Sequence, residues 1–419
     1  MTPEILDITR PADADPVLRL FPEPPRLLTL GEPAHGEDSL LAVRNTLFRQ
    51  LVERAGYRTI ALESDCLRGL IVDDYVTSGA GTLDDVMARG FSHGFGASPA
   101  NRDLVRWMRA HNQNRPAAER VRFAGFDGPL ETMSAASPRQ ALTALHDYLA
   151  GRIDAGLLPC SAEILDGLLG DDERWTDPEA MRNPGRSVGR TPEALRLRLI
   201  TDDLVALLAS QRPGLTGNAS PAETSDPAEN AELTGSAELA RLHGRTAAGL
   251  LRYHHWMADT SPSRLAGVLG TRAAMMAANL LALTGRGLVL AHANNAHLQR
   301  RRSSMRLGGD PVPWWSAGAI VAARPGVTYG FLAGAVGTLH HRGVPEPEPG
   351  TIESLLYGLP DDTCVVPARS LPAADLTTRV SPWFGYTPLD PAELSGIDAV
   401  VFVKDAAEGP QWWPPVSRP

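Results

Sequence analysis

The feature that most constrains this chain is an alternation. Short apolar runs trade places with helical patterns, and the early runs end on residues able to carry a proton. RLLTL (26–30) reads as a buried strand that leads into GEPAHG. Over 37–55 the residues Leu40, Leu41, Leu47, Phe48, Leu51 and Val52 recur at helical spacing, and Gly56 closes the pattern. TIAL (59–62) is a second strand, entering Glu63-Ser64-Asp65. Helical segments follow near 67–76, 83–89 and 100–112, and VRFAGF (121–126) makes a third strand that ends at Asp127. Strands alternating with helices predict an α/β fold, with a mainly parallel central sheet flanked by helices. Residues 1–136 form the first part of that core.

Over 137–284 the strand signal disappears, and helical patterns dominate at 138–150, 192–209, 237–257 and 264–283. This region reads as a helical insertion, or cap lobe, on the core. Within it, 212–236 holds no aromatic residue and no Ile or Val. Such a stretch buries too little to order itself and is expected to be a mobile surface loop. The strand pattern resumes at GLVLA (287–291), which runs into HANNAH. Apolar runs at 318–322, 327–332, 363–366 and 399–403 are predicted to complete the sheet, making 285–419 the second part of the core.

Composition narrows the functional classes. A chain of 419 residues has ample material for a large core without disulfides. Its net charge of −9 argues against nucleic acid as a partner, which needs a dense cationic footprint. The cysteines Cys66, Cys160 and Cys364 form no CxxC, so neither a zinc ribbon nor a disulfide framework is expected. The first residues lack the basic head and apolar core of a signal peptide, and no run approaches a membrane span. The expectation is a cytoplasmic protein with no membrane partner. Nothing in the pattern specifies an oligomer.

In open α/β sheets ligands bind where the strands end on their carboxyl side. Here the first strand delivers Glu32 and His35, the second Glu63, the third Asp127, and the fourth His292 and His297. Their coincidence at one sheet edge points to acid–base chemistry. Arg44 lies on the apolar face of its helix, where an unpaired charge is expensive. Its side chain leans back toward GEPAHG. It reads either as half of a structural salt bridge or as a clamp for a carboxylate, a carbonyl oxygen or the catalytic glutamate. The most economical mechanism makes His35 a general base, with Glu63 or Glu32 fixing its tautomer or orienting a water.

Three rivals compete with that mechanism. A metal site would use the same histidines and carboxylates, but HExxH is absent and Glu32-Pro33-Ala34-His35 sits on a loop, so no metal and no cofactor is expected. Alternatively His35 merely bonds backbone in a Gly/Pro turn. A serine nucleophile is suggested by Gly90-Phe91-Ser92-His93-Gly94, which fits GxSxG, but a helical pattern and not a strand precedes Ser92. The Gly-rich segment around it reads instead as a loop over the site, with Ser92 and His93 as candidates for binding substrate. His254, His255, His340 and His341 are expected in surface or core packing. Trp314, Trp315, Trp383, Trp412 and Trp413 are better explained by packing than by a ligand pocket.

GEPAHG after a strand, Arg44 on the next helix, ALES with Glu63, GFDGP with Asp127, and LVLAHANNAH together resemble the erythromycin esterase family. The order and spacing of these pieces match over roughly 26–340, and TRAAMMAANLLAL (271–283) is similar to the family's helix before its last histidine motif. The resemblance implies an α/β fold with a helical lobe and a cleft between them. It also implies hydrolysis of macrolide lactones by an activated water, without a covalent serine intermediate. On that basis His35 is the general base and Glu63 its essential partner. Glu32 and Arg44 support or polarise, and the late histidines bind or stabilise the oxyanion.

One departure is clear. The family has His-Asn-x-His after the late strand, whereas this chain has His292-Ala293-Asn294-Asn295-Ala296-His297. Aligned from the strand, His292 is retained before a two-residue insertion. Aligned from the downstream HLQR, Asn294 replaces the first histidine and only His297 remains. Asn294 and Asp127 therefore join the substrate-binding candidates.

The expected function is hydrolysis of an ester or lactone in a bulky, macrolide- or polyketide-like natural product. Two alternatives stand beside it. One is a non-hydrolytic step, such as elimination, dehydration or cyclisation in natural-product biosynthesis, run by the same His/Glu pair. The other is a catalytically silent binding or self-resistance protein.

Overall fold

A computed structural model describes residues 10–131, 134–215, 227–307, 310–380, 385–409 and 412–413. Its contacts divide the chain into two units, one made of Met1–Asp127 with Asn279–Pro419 and the other of Gly128–Ala278.

The first unit is built on strands β1 (Arg10–Pro11), β2 (Leu27–Glu32), β3 (Thr59–Asp65) and β4 (Arg122–Asp127). The second unit contributes the short pair β5 (Leu130–Glu131) and β6 (Ser134–Ala135). The chain then returns to the first unit with β7 (Val289–Asn294), β8 (Arg302–Leu307), β9 (Asp310–Trp315), β10 (Tyr329–Thr338), β11 (Thr363–Pro367) and β12 (Ala399–Asp405). The main sheet has the order β1-β11-β12-β10-β2-β7-β3-β4. From β12 to β4 its neighbours run parallel, while β11 and β1 are antiparallel at the edge. Every residue of β2, β3 and β7 is buried, which is why these strands read as unbroken apolar runs.

Leu28, Leu30, Ile60, Leu62 and Leu290 from the strands meet Leu47, Phe48, Leu51, Leu104 and Met108 from the helices in one core. Each such side chain stabilises the fold by roughly 1.5–3 kcal/mol through burial. The helix Asp38–Ala55 carries Leu47, Phe48 and Leu51 inward and stops at Gly56, whose φ of 74° suits glycine. Truncating the fully buried Leu51 to alanine would cost about 2–5 kcal/mol.

Three sequence expectations are corrected. The run at 318–322 is not a strand but lies in the helix Ala317–Ala322, which Ser316 caps by accepting from Ala319 N. Five apolar residues fit either period, and the cap decides. The hairpin β8–β9 was not foreseen, because two prolines interrupt its second strand. Finally, 212–236 is not all loop: Arg212–Leu215 is helical, and the helix Pro227–Met257 begins ten residues before 237. Residues 216–226 of that stretch lie outside the described residues.

In the second unit the helices Arg139–Ala150, Ala162–Leu169 and Pro192–Ser210 precede Pro227–Met257. His254 is buried there, donating from Nε2 to Ala136 O at 2.9 Å, with Trp175 packed edge-on at 5.0 Å. The helix Arg264–Thr284 is long and apolar enough, by length and composition alone, to cross a membrane. Core helices of soluble proteins pass the same test.

Candidate active site

Because β2, β7 and β3 are adjacent and parallel, their carboxyl ends bring Glu32, His292 and Glu63 together. Leu30 pairs in register with His292, and Leu62 pairs with the same residue on the other side. His35 returns on the loop after β2, and its Nδ1 lies 2.6 Å from Glu32 Oε1. A carboxylate can only accept, so Nδ1 carries a proton, and in the neutral ring the lone pair is on Nε2. That Nε2 faces Glu63 Oε2 at 3.8 Å.

The late histidines also face the carboxylates. His297 Nε2 lies 3.2 Å from Glu63 Oε1. His292 donates from Nδ1 to Leu30 O at 2.9 Å and turns Nε2 toward Glu32 Oε2 at 3.3 Å. The insertion after β7 thus leaves both histidines against the cluster. Asn294 supplies its backbone N–H to Glu63 Oε2 at 3.0 Å, while its side chain caps the next turn by accepting from Ala296 N. Its side chain has a structural task.

Burial is the largest influence on Glu32 and pushes its pKa up. The charges and hydrogen bonds of His292 and His35 outweigh it and bring the value to about 2. Burial pushes the His292 imidazole down, against the pull of Glu32. Glu32 is therefore ionised at neutral pH, which suits a residue that holds an imidazole in one tautomer.

Arg44 is buried, as the helical pattern predicts, but no acid pairs with it among the described residues. Its guanidinium donates to Asn45 Oδ1 at 2.7 Å and to Asn101 Oδ1 at 2.8 Å. Burial lowers its pKa to about 10, with Glu32 and Asp38 opposing. The salt bridge considered from sequence is absent, and two amides take its place. Sequence reading missed both, although Asn45 stands beside Arg44 on a helix face that is otherwise apolar.

Glu32, Arg44, Glu63, His292, Phe95 and Trp412 line a cavity of about 10 Å³, room for about one water molecule. Over it lies the chain's last described segment. Trp413 sits 4.9 Å from the His35 ring and stacks on Phe95 at 5.2 Å, while Trp412 donates to Asp38 Oδ2 at 3.1 Å. The sequence pattern points to ordinary packing for these two tryptophans, and Trp383 lies outside the described residues. A larger cavity, about 880 Å³, belongs to the helical unit, where Leu195, Leu199, Val205, Gly244 and Ala274 are among its walls. No histidine lines it, so its size does not mark the chemistry.

The remaining candidates separate from this cluster. Ser92 is buried, with its hydroxyl accepting from Asp65 N at 2.8 Å and lying 3.3 Å from Ser64 Oγ. That hydroxyl ties two segments together and makes no hydrogen bond to a histidine among the described residues. His93, at φ 55°, pairs with the buried Asp127 at 3.3 Å. The two form a second imidazole–carboxylate pair next to Phe95. His341, expected in simple packing, instead lies 3.0 Å from the buried Glu37 and, with Arg342, holds the loop that carries His35. Among the described residues no group of three or more His, Cys, Asp or Glu side chains is disposed to hold a metal ion.

A family model described as erythromycin esterase matches residues 52–402. Erythromycin esterase type II from Escherichia coli is 31% identical over 104 residues, which is 25% of this chain and 24% of that protein. The chain thus spans about a quarter of the length of this curated relative. Among solved structures, a Bacillus cereus protein matches with a TM-score of 0.69 at 16% identity, over 96% of both chains. A succinoglycan biosynthesis protein matches at 0.67 and 12% identity, over 96% of this chain and 95% of its own. A mutant of the erythromycin esterase EreC, in its open conformation, matches at 0.65 and 19% identity over 92% of each chain. At these identities the structural likeness is one of fold.

Proposed function

The chain belongs to the erythromycin esterase family, and from that membership we propose that it is a hydrolase that opens an ester or lactone of a bulky natural product with an activated water. The observation that carries this reading is the orientation of His35. Glu32 holds the proton on Nδ1, so Nε2 is the basic nitrogen, and it faces Glu63 across 3.8 Å. A water held between Nε2 and Glu63 gives its proton to His35 as its oxygen attacks the carbonyl carbon. Arg44, which lines the same cavity, stabilises the oxyanion that forms. The His35 imidazolium then protonates the departing alkoxide, so ester plus water yields acid plus alcohol. The proposed setting is cytoplasmic, with a macrolide- or polyketide-like molecule as substrate and resistance to such a compound as the benefit.

The test is a panel of macrolides and aryl esters followed by mass spectrometry. A gain of one water in the product supports hydrolysis, whereas loss of water assigns the same pair to elimination. His35→Ala and Glu63→Gln should each lower turnover by about two to four orders of magnitude. Full activity in both variants would refute the assignment.

A further inference from the structure

A buried arginine is ordinarily neutralised by a carboxylate, because an unpaired charge in a low-dielectric interior is costly. Arg44 departs from that rule in a specific way. Both of its side-chain partners are neutral amide oxygens, and both amides are fixed in orientation. Asn45 Nδ2 donates to Ala100 O at 2.8 Å, and Asn101 Nδ2 donates to Phe95 O at 2.9 Å. With the NH2 groups committed to backbone carbonyls, each Oδ1 must face the guanidinium. Asp38, at the start of the same helix, turns away: its oxygens accept from Ser98 Oγ, Ala100 N and Trp412 Nε1. The arginine's charge is therefore cradled without being cancelled, and Arg44 lines the cavity together with Glu32, Glu63 and His292.

We propose that Asn45 and Asn101 are positioning residues that act through Arg44, keeping its full positive charge directed at the cavity and so limiting how many protons the site's imidazoles hold. The groups that share this field come from several elements. Glu32 and His35 come from β2 and its loop, Asp38 from the helix Asp38–Ala55, Glu63 from β3, and His292 and His297 from β7 and the turn after it. A cation here favours the ionised carboxylates and disfavours imidazolium. Consistent with this, the charge of Arg44 adds to the burial that lowers the His292 pKa. An acid in either amide's place would cancel the cation and let the cluster take up a further proton. The general base would then be occupied at neutral pH. This inference rests on reading the cluster as an acid–base site, and its test is separate from turnover.

The experiment is a histidine-selective NMR titration of the full chain, with ring signals assigned through His35→Gln and His292→Asn. Asn101→Asp should move at least one of these imidazole titrations upward by about one unit, and Arg44→Gln should move it the same way. Asn101→Ala, which removes an acceptor of Arg44 and the bond to Phe95 O but adds no charge, should shift the titrations less than Asn101→Asp does. A purely structural role predicts instead that the aspartate and alanine variants behave alike. Superposed curves for Asn101→Asp and wild type, or equal shifts in Asn101→Ala, would overturn the proposal. Asn45→Asp serves as the second charge variant. If both aspartate variants fail to fold while Asn101→Ala folds, the amides are structural and the proposal falls. Inactivity of the wild type on every ester, with the titration shifts present, would instead remove only the hydrolase reading.

Discussion

Glu32 presents Oε1 to His35 Nδ1 at 2.6 Å, and this one contact decides which nitrogen of His35 is basic. An amide in its place offers an NH2 group as readily as an oxygen, so the tautomer is no longer enforced. Glu32→Gln is expected to lower turnover by about two to four orders of magnitude while leaving the fold intact by circular dichroism. A variant with wild-type turnover would show that the tautomer is set elsewhere.

Ser92 gives the opposite expectation. Its hydroxyl satisfies the buried Asp65 N–H, so Ser92→Ala should destabilise the protein by about 1–3 kcal/mol in urea titrations yet leave turnover within a few-fold of wild type. An acyl adduct on Ser92 detected by mass spectrometry would contradict the water-activation mechanism.

Trp412 lines the cavity beside Glu63, which has space for about one water, and Trp413 packs on the His35 ring, so no bulky ester fits there without displacing them. Trp413→Ala should raise kcat/KM for a large ester at least about threefold relative to 4-nitrophenyl acetate. Equal changes for both substrates would show that the ring does not limit access.

The helical unit should loosen in mild acid. Burial depresses His254 from 6.5 to about 4, so between these values the unfolded chain binds the extra proton. Stability from this group is complete above about pH 6.5 and is lost as the pH falls toward 4. The loss is at most about 3 kcal/mol at 1.36 kcal/mol per unit. His254→Gln should flatten that part of the urea-midpoint profile. An unaltered profile would assign the acid sensitivity to other groups.

Asn295 bonds both backbone groups of Gly334 on β10, and a β-carbon on Gly31 would come within 2.0 Å of its Oδ1. Asn295→Ala should therefore cost about 2–4 kcal/mol through two unsatisfied buried groups. Gly31→Ala should be at least as damaging, since nothing in that contact has room to shift. Thermal unfolding measures both.

The central strands were legible because LLTL, TIAL and LVLA are buried on both faces, leaving continuous apolar runs with chemistry at their ends. The same reasoning placed Glu32, His35, Glu63 and His292 at one edge, since parallel neighbours carry strand-end residues to the same side. It failed where short-range pattern is ambiguous or silent. The run at 318–322 needed Ser316 to declare it helical. The partners of Arg44 were sought among acids because a buried cation usually finds one, and nothing local marks Asn101, 57 residues away, as the acceptor. Contact between Trp413 and His35 joins nearly opposite ends of the chain, and no periodicity encodes it.

The candidate acid–base groups are planted at strand ends, whereas Trp412 and Trp413, the rings beside them, come from a segment far along the chain. Among the described residues, Trp412 is held by an indole bond to Asp38 and Trp413 by stacking on Phe95. A change confined to those two rings would alter what reaches His35 without touching the strands that hold Glu32 and Glu63.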